Sequence, residues 1–312
     1  MDAGRFDALT KALGHRSVRR RILGSLFGGA LSRLAAGGRD PAGRPGSDQA
    51  RARRKRGQCR KIKHEKERRQ CSPVLLAAGD IASCASSGDE ATAALLDSLG
   101  GTIAALGDIV YDSGTSQEFA TCYHPSWGRH KSRTRPAVGN HEYVTPGGAG
   151  YFGYFGDAAG DPSKGYYSYE LGSWHVVVLN SNCAQVGCGV GSPQEQWLRA
   201  DLAAHPTACT LAYWHHPRFS SSNVHGNHPE LEPLWWALYE HGADIVLSGH
   251  DHNYERFAPQ DSNGALDWDR GIRQFVVGTG GRSHYGFATT QPNSEVRNGD
   301  TFGVLRLRLH WL

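Results

Sequence analysis

The chain has 312 residues, 39% of them hydrophobic, which is room for one large α/β domain plus an extension. Its formal charge of +4 sums two unlike parts: residues 1–71 carry 20 Lys/Arg against 6 Asp/Glu, and residues 72–312 carry 14 against 24. No stretch reaches the roughly 20 consecutive apolar residues of a helical membrane span, and the seven cysteines show no Cys-x-x-Cys zinc spacing.

The basic part comes first. Arg16-Ser17-Val18-Arg19-Arg20-Arg21-Ile22-Leu23, followed by a Gly/Ala/Leu-rich run to residue 36, looks like a twin-arginine export signal. Residues 37–57 are a Gly/Pro/Arg-rich linker and 60–69 are highly charged with helical character. Residues 1–71 are therefore expected to be an export signal and a basic, disordered arm, and residues 72–312 the folded domain. The charge of the arm suits an anionic partner such as wall polymer, lipid or nucleic acid, or serves only to solvate it. The cysteines fit an exported, disulfide-forming protein. Cys84 with Cys122, Cys183 with Cys188 and Cys59 with Cys71 are plausible pairs, although spacing does not fix the connectivity.

From residue 74 the pattern alternates. Residues 74–78 are a short apolar run ending at Gly79-Asp80, 90–99 have helical apolar spacing, and 102–106 are a second strand-like run ending at Gly107-Asp108. Strand, helix, strand predicts parallel pairing. A short helix is predicted at 117–123, a strand at 136–138 leading into Gly139-Asn140-His141, and a glycine- and aromatic-rich loop rimming the site at 147–165. After a strand at 174–179, Ser192-Pro193-Gln194-Glu195 is a capping box with Pro at the first helical position, opening a helix to residue 204. A strand at 211–214 ends at His215. A helix at 230–241 carries Leu231, Leu234, Trp235 and Leu238 on one face and delivers the chain to the run 243–248 before His250. Residues 275–277 and 304–309 are late strands, the last alternating as a half-exposed strand does.

Polar segments stand at the ends of these runs: Gly79-Asp80, Gly107-Asp108-Ile109-Val110-Tyr111, Gly139-Asn140-His141-Glu142, Trp214-His215-His216-Pro217 and Gly249-His250-Asp251-His252. Ligand sites in α/β sheets lie beyond the carboxyl ends of strands, so these segments are placed to converge. Their carboxylates and imidazoles suit divalent or trivalent ions. An extended His-x-His can offer its two rings to two neighbouring ions.

In this order the segments resemble the calcineurin-like metallophosphoesterase superfamily, and Tyr111 points to its purple acid phosphatase-like branch. The resemblance covers about residues 74–312 and implies an α/β fold, the four-layer αββα sandwich. It implies a centre of two metal ions bridged by Asp108, one ion taking Asp80, Asp108, Tyr111 and His252, the other Asp108, Asn140, His215 and His250. Asn140 would bind through its amide oxygen. Ala82 stands where other branches place a histidine ligand, which favours Tyr111 as the replacement. The implied ions are Fe3+ with a divalent partner, Fe2+, Zn2+ or Mn2+, supplying a hydroxide that attacks phosphorus. His141 and His225 are the implied outer histidines that stabilise or protonate the leaving group. His228 lies close to His225, and His216 is expected to be structural.

The function so implied is an exported hydrolase of small phosphate esters, an acid phosphatase-type monoesterase. Two other readings stay open. One is a phosphodiesterase or nucleotidase on the same ions, with Tyr151-Phe152-Gly153-Tyr154-Phe155 stacking a base. The other is an envelope-associated polyanion-binding protein with a vestigial site, against which the complete ligand set stands.

Overall fold

The computed structural model describes residues 72–206 and 209–310. The export signal, the charged 60–69 segment and the Cys59–Cys71 pair lie outside the described residues.

Two sheets organise the fold. In the smaller, β1 (Val74–Ala78), β3 (Thr102–Leu106) and β5 (Thr134–Ala137) run parallel, and β13 (Leu305–Arg308) adds antiparallel to β1. Strands β1 and β3 are apolar along their length because both faces are covered, as parallel sheets require. The larger sheet has the order β12-β10-β11-β9-β8-β7-β6. Its centre is parallel: β7 (Trp174–Val178), β8 (Cys209–Tyr213), β9 (Ile245–Ser248) and β11 (Arg273–Val277). Its margins are antiparallel: β6 (Tyr167–Leu171) on one side, β10 (Tyr254–Phe257) and β12 (Ser294–Asn298) on the other. A short parallel pair, β2 (Ala82–Ser83) with β4 (Val110–Tyr111), forms just beyond β1 and β3.

The sheets meet through polar contacts at their inner faces. Tyr213 Oη donates to the Arg135 carbonyl at 2.8 Å, and Tyr167 Oη to that of Pro136 at 2.8 Å. Outside the larger sheet, the helices Pro193–Ala204 and Glu232–Glu240 bury Leu198, Leu202, Leu234, Trp235 and Leu238 against Val177, Ala212, Val246 and Val276. Each such leucine contributes about 1.5–3 kcal/mol by burial. Beside the smaller sheet, the helices Gly88–Asp97 and Trp127–Arg133 are joined by a hydrogen bond of 2.9 Å from Trp127 Nε1 to Thr92 Oγ1. The result is the helix, sheet, sheet, helix layering that the resemblance implies.

The capping box is present in part: the Ser192 hydroxyl accepts from the Glu195 amide, with Pro193 opening the helix. Disulfides join Cys84 to Cys122 and Cys183 to Cys188. Besides the short pair β2 and β4, three strands escaped the sequence patterns. In β10 the charged Glu255 is fully buried because Ser221 and Ser294 donate to its carboxylate. Strands β6 and β12 are edge strands, with too few buried positions to mark them.

The expected rim loop is also different. Residues 149–155 form a helix, Ala149–Phe155, and Tyr151, Phe152 and Phe155 are buried. Tyr154 stacks on Phe119 with ring centroids 4.9 Å apart. These rings fill the interior, so they offer no free platform for a base.

Candidate metal centre

Each proposed ligand sits where a strand ends. Asp80 follows β1, Asp108 follows β3, Asn140 and His141 follow β5, His215 follows β8, and His250 and His252 follow β9. The turns are sharp. Asp80, Asp108 and His250 have φ of 60°, 46° and 69°, and they are three of the four non-glycine residues with left-handed backbone among the described residues. Such conformations cost on the order of 1–3 kcal/mol each and cluster at functional sites. Glycines allow the close approach around them. A Cβ at Gly139 would lie 2.2 Å from Asp108 Oδ1, and one at Gly107, itself at φ 80°, would lie 2.6 Å from His215 Nδ1.

The side chains form two groups that share Asp108. In the first, Tyr111 Oη lies 2.9 Å from Asp80 Oδ1, 3.1 Å from Asp108 Oδ2 and 3.1 Å from His252 Nε2, with a single O–H to share among them. In the second, His215 Nε2 lies 3.1 Å from each of Asp108 Oδ2, Asn140 Oδ1 and His250 Nδ1. All seven residues that the resemblance implies as ligands are therefore brought together around Asp108. The other nitrogens are held from outside. His215 Nδ1–H donates to the Leu106 carbonyl at 2.8 Å, and His252 Nδ1 is bonded to Ser283 Oγ at 2.6 Å.

The donor set fits a pair of cations. Asp80 and Asp108 are 0% and 2% exposed, and among the described residues no Lys or Arg ion pair reaches either carboxylate. His215 Nδ1 already carries a proton, so a neutral ring aims the lone pair of Nε2 at three further lone-pair atoms, and a positive charge has to stand among them. The same demand is visible in titration. Burial alone would lower His215, but the Asp108 charge and hydrogen bond hold it up at about 9. Burial would raise Asp108, and His215 and His141 bring it below the carboxylate range. Burial and the surrounding imidazoles push His250 far down, which keeps its ring a neutral donor. For Tyr111, burial and the charges of Asp108 and Asp80 push the phenol well above its usual range, so only a strongly Lewis-acidic ion would take it as phenolate.

The histidines expected outside the ligand set are also nearby. The His141 amide donates to Asp108 Oδ1 at 2.9 Å, its Nδ1–H donates to the Asp112 carbonyl at 2.7 Å, and its Nε2 lies 3.9 Å from Asp108 Oδ2. His225 is exposed, with its ring 4.0 Å from that of His250. His228 comes within 5.2 Å of the same ring and is tied to Glu230 at 2.9 Å. His216 packs 4.4 Å from His250, bonds Ser181 through Nδ1, and can join His215 and His250 as a metal donor.

Several contributors were missed. Glu142 is fully buried, and its carboxylate accepts backbone N–H bonds from Asp108, Ile109, Val110 and Gly139, which ties two ligand-bearing loops together. The loop after β11 supplies Ser283, Tyr285, stacked on His252 at 4.0 Å, and Arg282, 5.0 Å over the Tyr111 ring and paired with Asp112. The only signal for that loop was the run Gly278-Thr279-Gly280-Gly281 after a strand.

Residues 73–254 match the family model of calcineurin-like phosphoesterases. Purple acid phosphatase 15 of Arabidopsis thaliana is 29% identical over 215 residues, 56% of this chain and 39% of the relative. Purple acid phosphatase 18 of the same plant is 34% identical over 133 residues, 40% of this chain and 29% of the relative. A purple acid phosphatase structure from yellow lupin seeds superposes with a TM-score of 0.58 at 20% identity, covering 75% of this chain and 48% of that one. The matched region thus spans less than half the length of each of these relatives.

Proposed function

Because the chain belongs to the calcineurin-like phosphoesterase family, we propose that residues 72–312 are the catalytic unit of a dinuclear metal-dependent phosphate ester hydrolase. Its reaction is that of an acid phosphatase-type phosphomonoesterase. The observation that carries this reading is the position of Asp108 Oδ2, 3.1 Å from both Tyr111 Oη and His215 Nε2, where one anionic oxygen serves two groups of donors. Asp80, Asp108, Tyr111 and His252 would hold one ion, and Asp108, Asn140, His215 and His250 the other. The ions would be Fe3+ and a divalent partner, Fe2+, Zn2+ or Mn2+. When bound, such a pair supplies a water of lowered pKa as nucleophile and neutralises the phosphate oxygens.

The remaining work falls to the chain. Glu142 and the glycine turns hold Asp108 and Asn140 in place before substrate arrives. The Nδ1–H of His141 is engaged by the Asp112 carbonyl, so its Nε2, 3.9 Å from Asp108 Oδ2, would be the nitrogen that meets an ester oxygen. His225, exposed with its ring 4.0 Å from that of His250, would stabilise the leaving alkoxide. Export is part of the proposal, supported by the two disulfides, which persist in oxidising compartments. The basic arm would then meet anionic polymer, lipid or nucleic acid outside the catalytic unit.

Turnover of a phosphomonoester and a phosphodiester by the full chain, before and after chelation, tests the reading. Faster monoester hydrolysis that chelation removes is expected. Preference for the diester would move the protein to the diesterase reading, and no turnover of either by metal-loaded protein would favour a binding role.

A further inference from the structure

A second group of imidazoles and carboxylates lies at the far end of the larger sheet from the candidate centre. His175 is in the first half of β7, whereas the proposed ligands follow the carboxyl ends of the parallel strands. Its cross-strand partner on β6 is Glu170, and Asp201 and His205 lie at the carboxyl end of the helix Pro193–Ala204. His175 Nδ1 is 2.7 Å from Glu170 Oε1, and His175 Nε2 is 2.7 Å from Asp201 Oδ2. The other Asp201 oxygen is 3.2 Å from His205 Nδ1 and accepts from Ser168 Oγ at 2.8 Å. His205 Nδ1 is also 2.9 Å from the Asp201 carbonyl.

A neutral imidazole carries one N–H. With both nitrogens of His175 against carboxylate oxygens, one contact places two lone pairs 2.7 Å apart unless a cation stands between them. His175 is 1% exposed and Asp201 8%, so solvent does not supply that charge. A second proton on His175 would satisfy this contact alone. His205 converges as well, its Nδ1 2.9 Å from the Asp201 carbonyl and its ring parallel to that of His175 at 4.6 Å, so that one donor atom from each of His175, Asp201 and His205 falls within 4.8 Å of the others.

We propose that His175, Asp201 and His205 form a separate structural site for a Zn2+-class ion, with Glu170 holding the Nδ1–H of His175 so that Nε2 faces the metal. Two imidazoles and a carboxylate are a zinc donor set, and a carboxylate behind a ligating histidine is the usual outer contact. Bonds of about 2.0–2.2 Å require the donors to spread by roughly half an ångström from their present spacing. The contact that has to open is the 2.7 Å one between His175 Nε2 and Asp201 Oδ2, and Asp201 lies in the last turn of the helix. The bound ion would pin the edge hairpin β6–β7 to the helix.

The test is made in full-length Asp108→Asn protein, so that it does not depend on hydrolysis. Stripped protein is titrated with Zn2+ and, for spectroscopy, Co2+. One equivalent that raises the melting temperature is expected, with a tetrahedral cobalt spectrum. His205→Gln in the same background should weaken that binding by at least about a hundredfold, and Glu170→Gln by about tenfold. In otherwise native protein, His205→Gln should leave monoester turnover unchanged. Zinc uptake and melting temperature that do not respond to His205→Gln would overturn the site. Nitrogen NMR showing His175 doubly protonated under saturating Zn2+ would overturn it too and assign the charge to a proton.

Discussion

Glu142→Gln tests whether the ligand loops are held from behind. Glu142 Oε1 accepts from the amides of Ile109 (2.8 Å) and Val110 (3.3 Å), and Oε2 from those of Asp108 (3.0 Å) and Gly139 (2.7 Å). Burial and the Asp108 charge push the carboxyl up to about 8 even against the lowering pull of the N–H bonds. With N–H donors on both oxygens there is no acceptor for a carboxyl proton, and cations at Asp108 would lower the group further, so the working form is the carboxylate. Glutamine keeps the shape but turns one oxygen into NH2, leaving two buried amides facing a donor. At about 1–3 kcal/mol for each unsatisfied buried group, the loss is about 2–6 kcal/mol. Glu118→Gln is the control: Glu118 also accepts amides, from Asp112, Ser113 and Thr115, but in a part-exposed capping box, where about 1 kcal/mol is expected. Urea unfolding of stripped protein gives the two losses, and metal titration gives the change in affinity. If Glu142→Gln costs under about 1 kcal/mol and binds metal as the parent does, the brace is wrong.

Other substitutions probe single contacts. Tyr111→Phe in protein purified with iron should bleach a purple to pink absorption while leaving some hydrolysis; colour that survives would mean another tyrosine is the ligand. Ser283→Ala removes the outer partner of His252 and should weaken metal binding by about 10–100-fold with little change in stability; unchanged affinity would remove Ser283 from the centre. Asp89 has a pKa raised by burial from 3.8 to about 6, against the pull of the Ser126 hydrogen bond. The folded protein therefore holds this proton more tightly than the unfolded chain, and the group penalises the fold above pH 6. Stability should rise by up to about 3 kcal/mol from this group as pH falls from 7 to 4. Asp89→Asn should abolish that rise, and a pH profile identical to the parent would refute the assignment.

Much of the site was legible because its chemistry sits directly after apolar runs. Asp80, Asp108, Asn140, His215, His250 and His252 each follow a strand, and a parallel sheet necessarily brings such ends together. What supports them was not legible. The residues contacting Arg282 and Ser283 lie far away in the chain, so that Arg282 and its partner Asp112 are 170 residues apart. Glu142 closes the segment Gly139-Asn140-His141-Glu142, yet its role depends on which way backbone amides point, and residue type carries no sign of that. The aromatic run 151–155 misled because exposed and buried rings look alike in sequence; the helix that buries them has glycine at both caps and no polar cap. The edge strands β6 and β12 failed for the opposite reason, having too little burial to leave a pattern.

The most direct test of a shared dinuclear centre is Asp108→Asn, read as monoester hydrolysis and metal content on the same sample. The amide keeps the size of the side chain but removes the anionic oxygen that lies 3.1 Å from both Tyr111 and His215. Loss of the ions and a fall in turnover of roughly a thousandfold or more are expected, several kcal/mol at about 1.4 kcal/mol per decade. Turnover within tenfold of the parent, with the metal content intact, would contradict the bridging role of Asp108 and with it the centre proposed for this chain.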